Sequence, residues 1–234
     1  MRIDKYLSNL KYGSRSEIKA LIKANKITVN NQKVSDSGLN IDPAKDIIKV
    51  FEEEVLYREN VYLLLNKPSG YLSATKDNLH KTVLDLIKAP FNRFDLKICG
   101  RLDLDTEGLL ILTNDTEFIH NFTNPKKDIL KKYYCLLRDK LKDFEVITKG
   151  VILKDGKGED YFTKPCKIEP IDDYSCYIYL SEGKFHQVKR LFQYINNEVV
   201  YLKRLAIGEY NLPEELKLGE YLEFRKEEKL CKKQ

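Results

Sequence analysis

GRLDLDTEGLLILTND, residues 100–115, joins an acidic loop to a solid apolar run through a single glycine, Gly108. Leu109 to Leu112 carries no polar residue and stops at Asn114-Asp115, so it reads as a strand in a sheet interior. The loop that feeds it then lies at the rim of a core, where a carboxylate is partly desolvated and its chemistry can be tuned. Three acids alternate in that loop, Asp103, Asp105 and Glu107, and only Asp103 has an arginine, Arg101, two residues before it.

Alternating acids before a glycine also describe a solvated turn. A calcium loop is a second reading, because Asp103, Asp105 and Gly108 fill the first, third and sixth places of that pattern. Its closing glutamate would fall on Asn114, however, and a β run follows where a helix is required.

Outward from this stretch the chain alternates short strands and helices. Upstream, Leu96 to Cys99 reads as a strand, Thr82 to Ile87 as one or two helical turns, and Val61 to Leu65 as a central strand ending in the turn Asn66-Lys67-Pro68-Ser69-Gly70. Downstream, Glu117 to Phe122 and Leu141 to Thr148 read as helices. Lys131 to Leu137, Val151 to Leu153, Phe162 to Ile168, Ser175 to Leu180 and Val199 to Ile207 read as strands. Val188, Leu191, Phe192 and Ile195 form the apolar stripe of another helix, and a short strand follows the turn Leu218 to Tyr221.

The N-terminus has a different character. Ile3, Tyr6, Leu7 and Leu10 give one amphipathic helix, and Ser14 with Glu17 has the spacing of a capping box opening a second. Residues 1–33 hold eight Lys or Arg against two acids, although the whole chain carries only +5. Glu52, Glu53, Glu54 and Glu59 follow as an acidic joint. At 234 residues two domains are expected, with the boundary near residue 56: 1–56 and 57–234. A basic head on a near-neutral body points to nucleic acid. Arg15, Lys19, Lys23 and Lys26 line one helical face at steps of three or four and, with Arg2 and Lys5, are the candidate phosphate contacts.

Five cysteines without a C-x-x-C pair suit neither zinc nor a disulfide framework, and no metal site is expected. No apolar leader and no membrane-length run is present, so a cytoplasmic chain with no membrane partner is expected. Arg225 to Gln234 is a lysine-rich tail.

The 100–115 stretch resembles the signature of the pseudouridine synthases that modify ribosomal RNA, in the branch acting on the small subunit. NKPSGY at 66–71 and SEGKFHQVKR at 181–190 resemble two further motifs of that family, and residues 1–30 resemble the S4 RNA-binding domain. The resemblance implies an α+β fold, an S4-like head followed by a catalytic domain on a mixed, mostly antiparallel sheet. It implies Asp103 as the catalytic carboxylate, Tyr133 beside the target base, Val188 as its apolar neighbour and Lys189 as the cation paired with Asp103. Arg101 is assigned to the loop and the RNA, and Lys67 and Arg190 to RNA contact, although a structural role for Lys67-Pro68 also fits. His186 is read as a structural hydrogen-bonding residue.

The implied reaction is conversion of a uridine to pseudouridine in ribosomal RNA, with no cofactor and a flipped-out base. The substrate is expected to be 16S RNA in a pre-ribosomal particle, met by a monomer, and Thr163-Lys164-Pro165 favours the small-subunit branch. A large-subunit synthase of the same family, or a non-catalytic S4-type ribosome-associated factor, are the alternatives.

Overall fold

In a computed structural model, which describes residues 1–226, the chain divides into two compact units. The first comprises residues 1–61 together with 87–96, and the second residues 62–86 together with the described residues from 97. The lysine-rich tail beyond Lys226, with Cys231, lies outside the described residues.

The first unit contains α1 (Ile3–Asn9) and α2 (Arg15–Lys23) with a four-stranded antiparallel sheet of β1 (Ile27–Val29), β2 (Gln32–Lys33), β3 (Ile48–Val50) and β4 (Glu53–Glu54), in the order β2-β1-β3-β4. Ser14 caps α2 as its spacing predicts: its hydroxyl accepts from the Glu17 N–H, and the Glu17 carboxylate accepts from the Ser14 N–H at 2.7 Å. Asn30 and Asn31 close the β1–β2 hairpin at φ 52° and 63°, conformations asparagine tolerates well. Ile3, Leu7, Ile18, Ile22 and Ile27 form the core between helices and sheet. The returning segment 87–96 is tied in by the Arg93 guanidinium, 3.9 Å over the Tyr12 ring, and by Lys11 Nζ donating to the Asn92 carbonyl.

The second unit is built on a nine-stranded sheet. Its strands are β5 (Tyr62–Lys67), β6 (Lys97–Cys99), β7 (Glu107–Thr113), β8 (Lys131–Leu137), β11 (Lys167–Pro170), β12 (Ser175–Leu180), β13 (Val199–Ile207), β14 (Tyr210–Asn211) and β15 (Tyr221–Glu223). The order is β11-β12-β8-β13-β7-β5-β15, with β6 on β7 and β14 on β13. Among these strands only β13 and β7 run parallel; every other pairing is antiparallel. The apolar run of 109–112 is central and fully buried, as its composition demands. The unit also carries α3 (Thr116–Thr123), α4 (Glu145–Thr148), α5 (Gln187–Tyr194) and a separate hairpin of β9 (Ile152–Lys154) and β10 (Asp160–Phe162).

Two expected elements differ. The helix expected over 141–148 is reduced to Glu145–Thr148, because Asp143 takes φ 53° and the Leu141 N–H is spent on the Asp173 carbonyl. The strand expected over 162–168 is two strands, β10 and β11, divided around Pro165, which has no N–H for a ladder.

Candidate active site

One transverse row of the sheet organises the site. Register places Lys67 opposite Gly108, Gly108 beside Arg204, Arg204 opposite Tyr133, and Tyr133 opposite Ile178. Directly opposed residues share a face of a sheet. Lys67, Arg204 and Tyr133 thus line up on one side, 0%, 2% and 8% exposed. Gly108 makes the row possible, since a Cβ there would sit 2.2 Å from the Arg204 carbonyl oxygen.

The loop between Cys99 and Glu107 is held from beneath. Lys67 Nζ donates to the carbonyls of Leu104 at 3.1 Å and Thr106 at 2.8 Å, and closes on Pro68 at 3.1 Å. Ser73 Oγ donates to the Leu102 carbonyl at 2.8 Å and accepts from the Leu102 N–H at 3.2 Å. Gly70 N–H reaches the Leu104 carbonyl, and the Thr106 N–H closes a turn on the Asp103 carbonyl. Both residues flanking Asp103 are therefore anchored through their backbone. Burial pushes Lys67 down to about 8, against the opposing charges of Asp105, Asp103 and Glu107. Of the two expectations for Lys67, RNA contact and a structural role, the structural one fits: it is fully buried, and its ammonium is spent on the backbone carbonyls that support the loop.

The expected Lys189–Asp103 pair is not formed. Lys189 Nζ meets both carboxylate oxygens of Asp105 at 2.6 Å. Burial raises the Asp105 carboxyl, but the hydrogen bond and charge of Lys189 outweigh it and hold the group below its usual range. Asp103, with a side chain 27% exposed, has His186 Nε2 3.6 Å from Oδ1. Of the two carboxylates, α5 delivers Lys189 to the more exposed one, Asp105. His186 sits at φ 50° just before α5, its ring stacked on Phe185 at 3.9 Å. The sequence motif contains His186 but gives no sign that its backbone turns left-handed and brings the ring to Asp103. Glu107 accepts from the Tyr201 hydroxyl at 2.6 Å.

Asp103 opens into a small cleft of about 70 Å³ whose walls include Tyr133, Val188, His186, Thr106 and Leu202. Tyr133 faces the core side of β8, whereas Tyr134 joins Tyr177 and Tyr201 in an aromatic group. Alternation along a strand separates the two tyrosines. Arg101 is exposed and lines this cleft and a second, larger one of about 310 Å³ that shares the Tyr133 wall. Val188 is buried in the first turn of α5.

Arg190, also expected on RNA, is engaged within the protein. Its guanidinium donates to the carbonyls of Lys154 and Asp155, the latter at 3.1 Å, and lies 4.8 Å over the Phe185 ring. In the first unit, Lys5, Arg15, Lys19, Lys23 and Lys26 are exposed, and Arg2 forks onto the buried Asp4 at 2.8 and 3.1 Å.

Known proteins share both parts of this chain. The RNA pseudouridylate synthase family profile matches residues 61–194, and the S4 domain profile matches residues 1–48. An uncharacterized RNA pseudouridine synthase of Bacillus subtilis (strain 168), YtzG, is 43% identical over 234 residues, covering 97% of this chain and 96% of its own. Ribosomal small subunit pseudouridine synthase A of Escherichia coli (strain K12) is 34% identical over 232 residues, covering 97% of this chain and 98% of its own. The Haemophilus influenzae protein of the same name is 35% identical over 225 residues, covering 94% of each. A crystal structure of a pseudouridylate synthase superposes with a TM-score of 0.66 at 33% identity, covering 96% of both chains. With its S4 domain followed by this catalytic sheet, the chain belongs to the RNA pseudouridylate synthase family.

Proposed function

We propose that the chain isomerises a uridine of 16S ribosomal RNA to pseudouridine, with Asp103 as the catalytic carboxylate. The carrying observation is the 70 Å³ cleft, in which Asp103, on a loop anchored at Leu102 and Leu104, faces Tyr133 and Val188. The N1–C1′ bond breaks, the detached uracil turns, and a C5–C1′ bond forms in its place as C5 gives up its proton and N1 takes one up. The base supplies both leaving group and returning nucleophile, so the atoms balance without a cofactor. A base inside a helix cannot reach such a cleft and must be lifted from its stack, at about a few kcal/mol. Tyr133 and Val188 then offer the aromatic and aliphatic faces between which a uracil fits. Walls that exclude water favour rejoining over hydrolysis of the sugar.

The small-subunit substrate is supported by the names of the Escherichia coli and Haemophilus influenzae relatives and by Thr163-Lys164-Pro165. The exposed stripe Arg15, Lys19 and Lys23 supports docking to structured RNA, as naked 16S RNA or within an assembling particle. The test is tritium release from 5-tritiated uridine in 16S and 23S transcripts, with Asp103→Asn as control. Release from 16S RNA alone, lost in Asp103→Asn, is the expected result. Release from 23S RNA alone assigns the large subunit, and no release from either RNA or from ribosomal particles leaves a binding factor.

A further inference from the structure

The second cleft is separate from the space beside Asp103, although Arg101, Tyr133, Glu182, Gly183 and Lys184 wall both. At about 310 Å³ it falls within the roughly 300–1,000 Å³ usual for small-ligand sites. Its lining is mixed: Phe122, Ile129 and Ile207 are apolar, Arg101, Lys131, Lys164, Lys184 and Arg204 are cationic, and Glu182 is the one carboxylate. Arg204 is 2% exposed and spends Nε on the Leu109 carbonyl at 2.8 Å and Nη1 on the Arg101 carbonyl at 3.3 Å. Its Nη2 is buried with no hydrogen-bond partner among the described residues. A buried guanidinium with an unused donor and no carboxylate paired to it is costly unless an anion arrives to complete it. Lys131 is half-buried beside it. Burial, and then the neighbouring Arg204, push its ammonium down to about 8, against Glu182 and Asp128. It donates to the carbonyls of Ile129 at 2.7 Å and Ser181 at 3.5 Å, and to no carboxylate among the described residues.

We propose that this cleft is a nucleotide subsite: Arg204 and Lys131 take the phosphodiester next to the target uridine, and the apolar lining residues take the neighbouring nucleoside. The two clefts adjoin through the shared Tyr133 wall, so the neighbouring nucleotide would lie next to a uridine on the Asp103 side. The proposal rests on the reading of the Asp103 cleft as the uridine site. A subsite of this kind would hold the strand in register while the base turns, without reading sequence through the phosphate itself.

The probe is a trinucleotide with a central uridine, titrated into the full chain at low salt. It carries natural linkages, or one linkage at a time replaced by an uncharged methylphosphonate. Lys131→Met is the variant, because Arg204 also holds the backbone of 101 and 109 and its loss would disturb the fold. Neutralising one of the two linkages, and not the other, should weaken binding about tenfold, as expected when a charge-assisted hydrogen bond is removed. Lys131→Met should weaken the natural trinucleotide by the same factor and the one neutralised at that linkage no further. Effects that multiply independently, equal sensitivity to both linkages, or no binding at millimolar trinucleotide would overturn the subsite. Asp103→Asn should leave the coupling intact. If the coupling holds and the parent makes no pseudouridine in ribosomal RNA, the uridine reading fails and the subsite stands.

Discussion

Lys189 Nζ donates to both carboxylate oxygens of Asp105 at 2.6 Å, while the ion-pair contact of Asp103 among the described residues is the imidazole of His186 at 3.6 Å. The outer acid carries the ion pair and the inner one faces the cleft. Asp103→Asn should therefore abolish pseudouridine formation while folding and RNA binding persist. Asp105→Asn and Glu107→Gln should keep measurable turnover. Lys189→Ala strands no buried charge, because the Asp105 side chain is 67% exposed. Its stability cost should be about 0–1 kcal/mol, as for surface pairs, and not the roughly 3–5 kcal/mol of a broken buried pair. Single-turnover kinetics with urea melts decide this. Near-parental turnover in folded Asp103→Asn would remove Asp103 from the chemistry.

Lys67 supports the same loop from below, and Lys67→Met keeps its bulk while removing the lysine donor from the carbonyls of Pro68, Leu104 and Thr106, of which Leu104 keeps the Gly70 N–H. The expected loss is about 2–4 kcal/mol of stability. Turnover should fall in the fraction that still folds, with affinity for RNA little changed. A variant as stable as the parent whose only defect is RNA affinity would restore Lys67 to the RNA interface.

Gly108→Ala should be among the most damaging single changes in the second unit. The added methyl meets the Arg204 carbonyl at 2.2 Å, and the position holds φ 102°. Strain and overpacking together predict a loss of about 3 kcal/mol or more. A soluble Gly108→Ala protein with the parent's melting temperature would show that β7 and β13 can separate without cost.

Much of this site was legible in the residues. The unbroken apolar run after Gly108 marked the central strand and put Asp103 at its rim; only the family resemblance preferred Tyr133 to Tyr134, because alternation along β8 parts the two without saying which turns inward. The partner of Lys189 was not legible, since helical spacing gives a lysine's direction but not which of two nearby acids its long side chain reaches. Arg204 was also hidden. Within Val199 to Ile207 it follows Lys203, and nothing local tells which of two adjacent cations turns inward. That depends on the register with Gly108 and Tyr133, both far away in sequence. Pro165 is plain in the sequence, but the hydrophobic pattern around it does not show that the ladder breaks there.

In the first unit, Arg15, Lys19 and Lys23 are exposed along α2, whose apolar residues Ile18 and Ile22 are buried. Their replacement by alanine should leave folding intact. The slope of log affinity against log salt should fall by about 0.7 for each phosphate of single-stranded RNA that is no longer neutralised. Turnover at saturating RNA should be unchanged. An unaltered salt slope would make the stripe an ordinary solvated face.

Lys131 gives a test that needs no RNA. Its folded-state value of about 8 lies below the roughly 10.4 of an unfolded lysine. Between these values the unfolded chain binds more protons than the folded one, so this residue makes stability rise with pH. Below pH 8 both states are protonated and the penalty of burying the charge is constant. Lys131→Met removes that penalty at the cost of the bond to the Ile129 carbonyl, and should be more stable than the parent by about 1–2 kcal/mol at pH 7. The advantage should shrink as pH rises from 8 towards 10. Lys67, lowered to a similar value, stays in both proteins, so the difference between their melts isolates Lys131. Arg204 and Lys164 act to lower Lys131, and Glu182 and Asp128 act against them. Parallel stability curves from pH 7 to 10 would mean that Lys131 carries no buried charge for a phosphate to relieve.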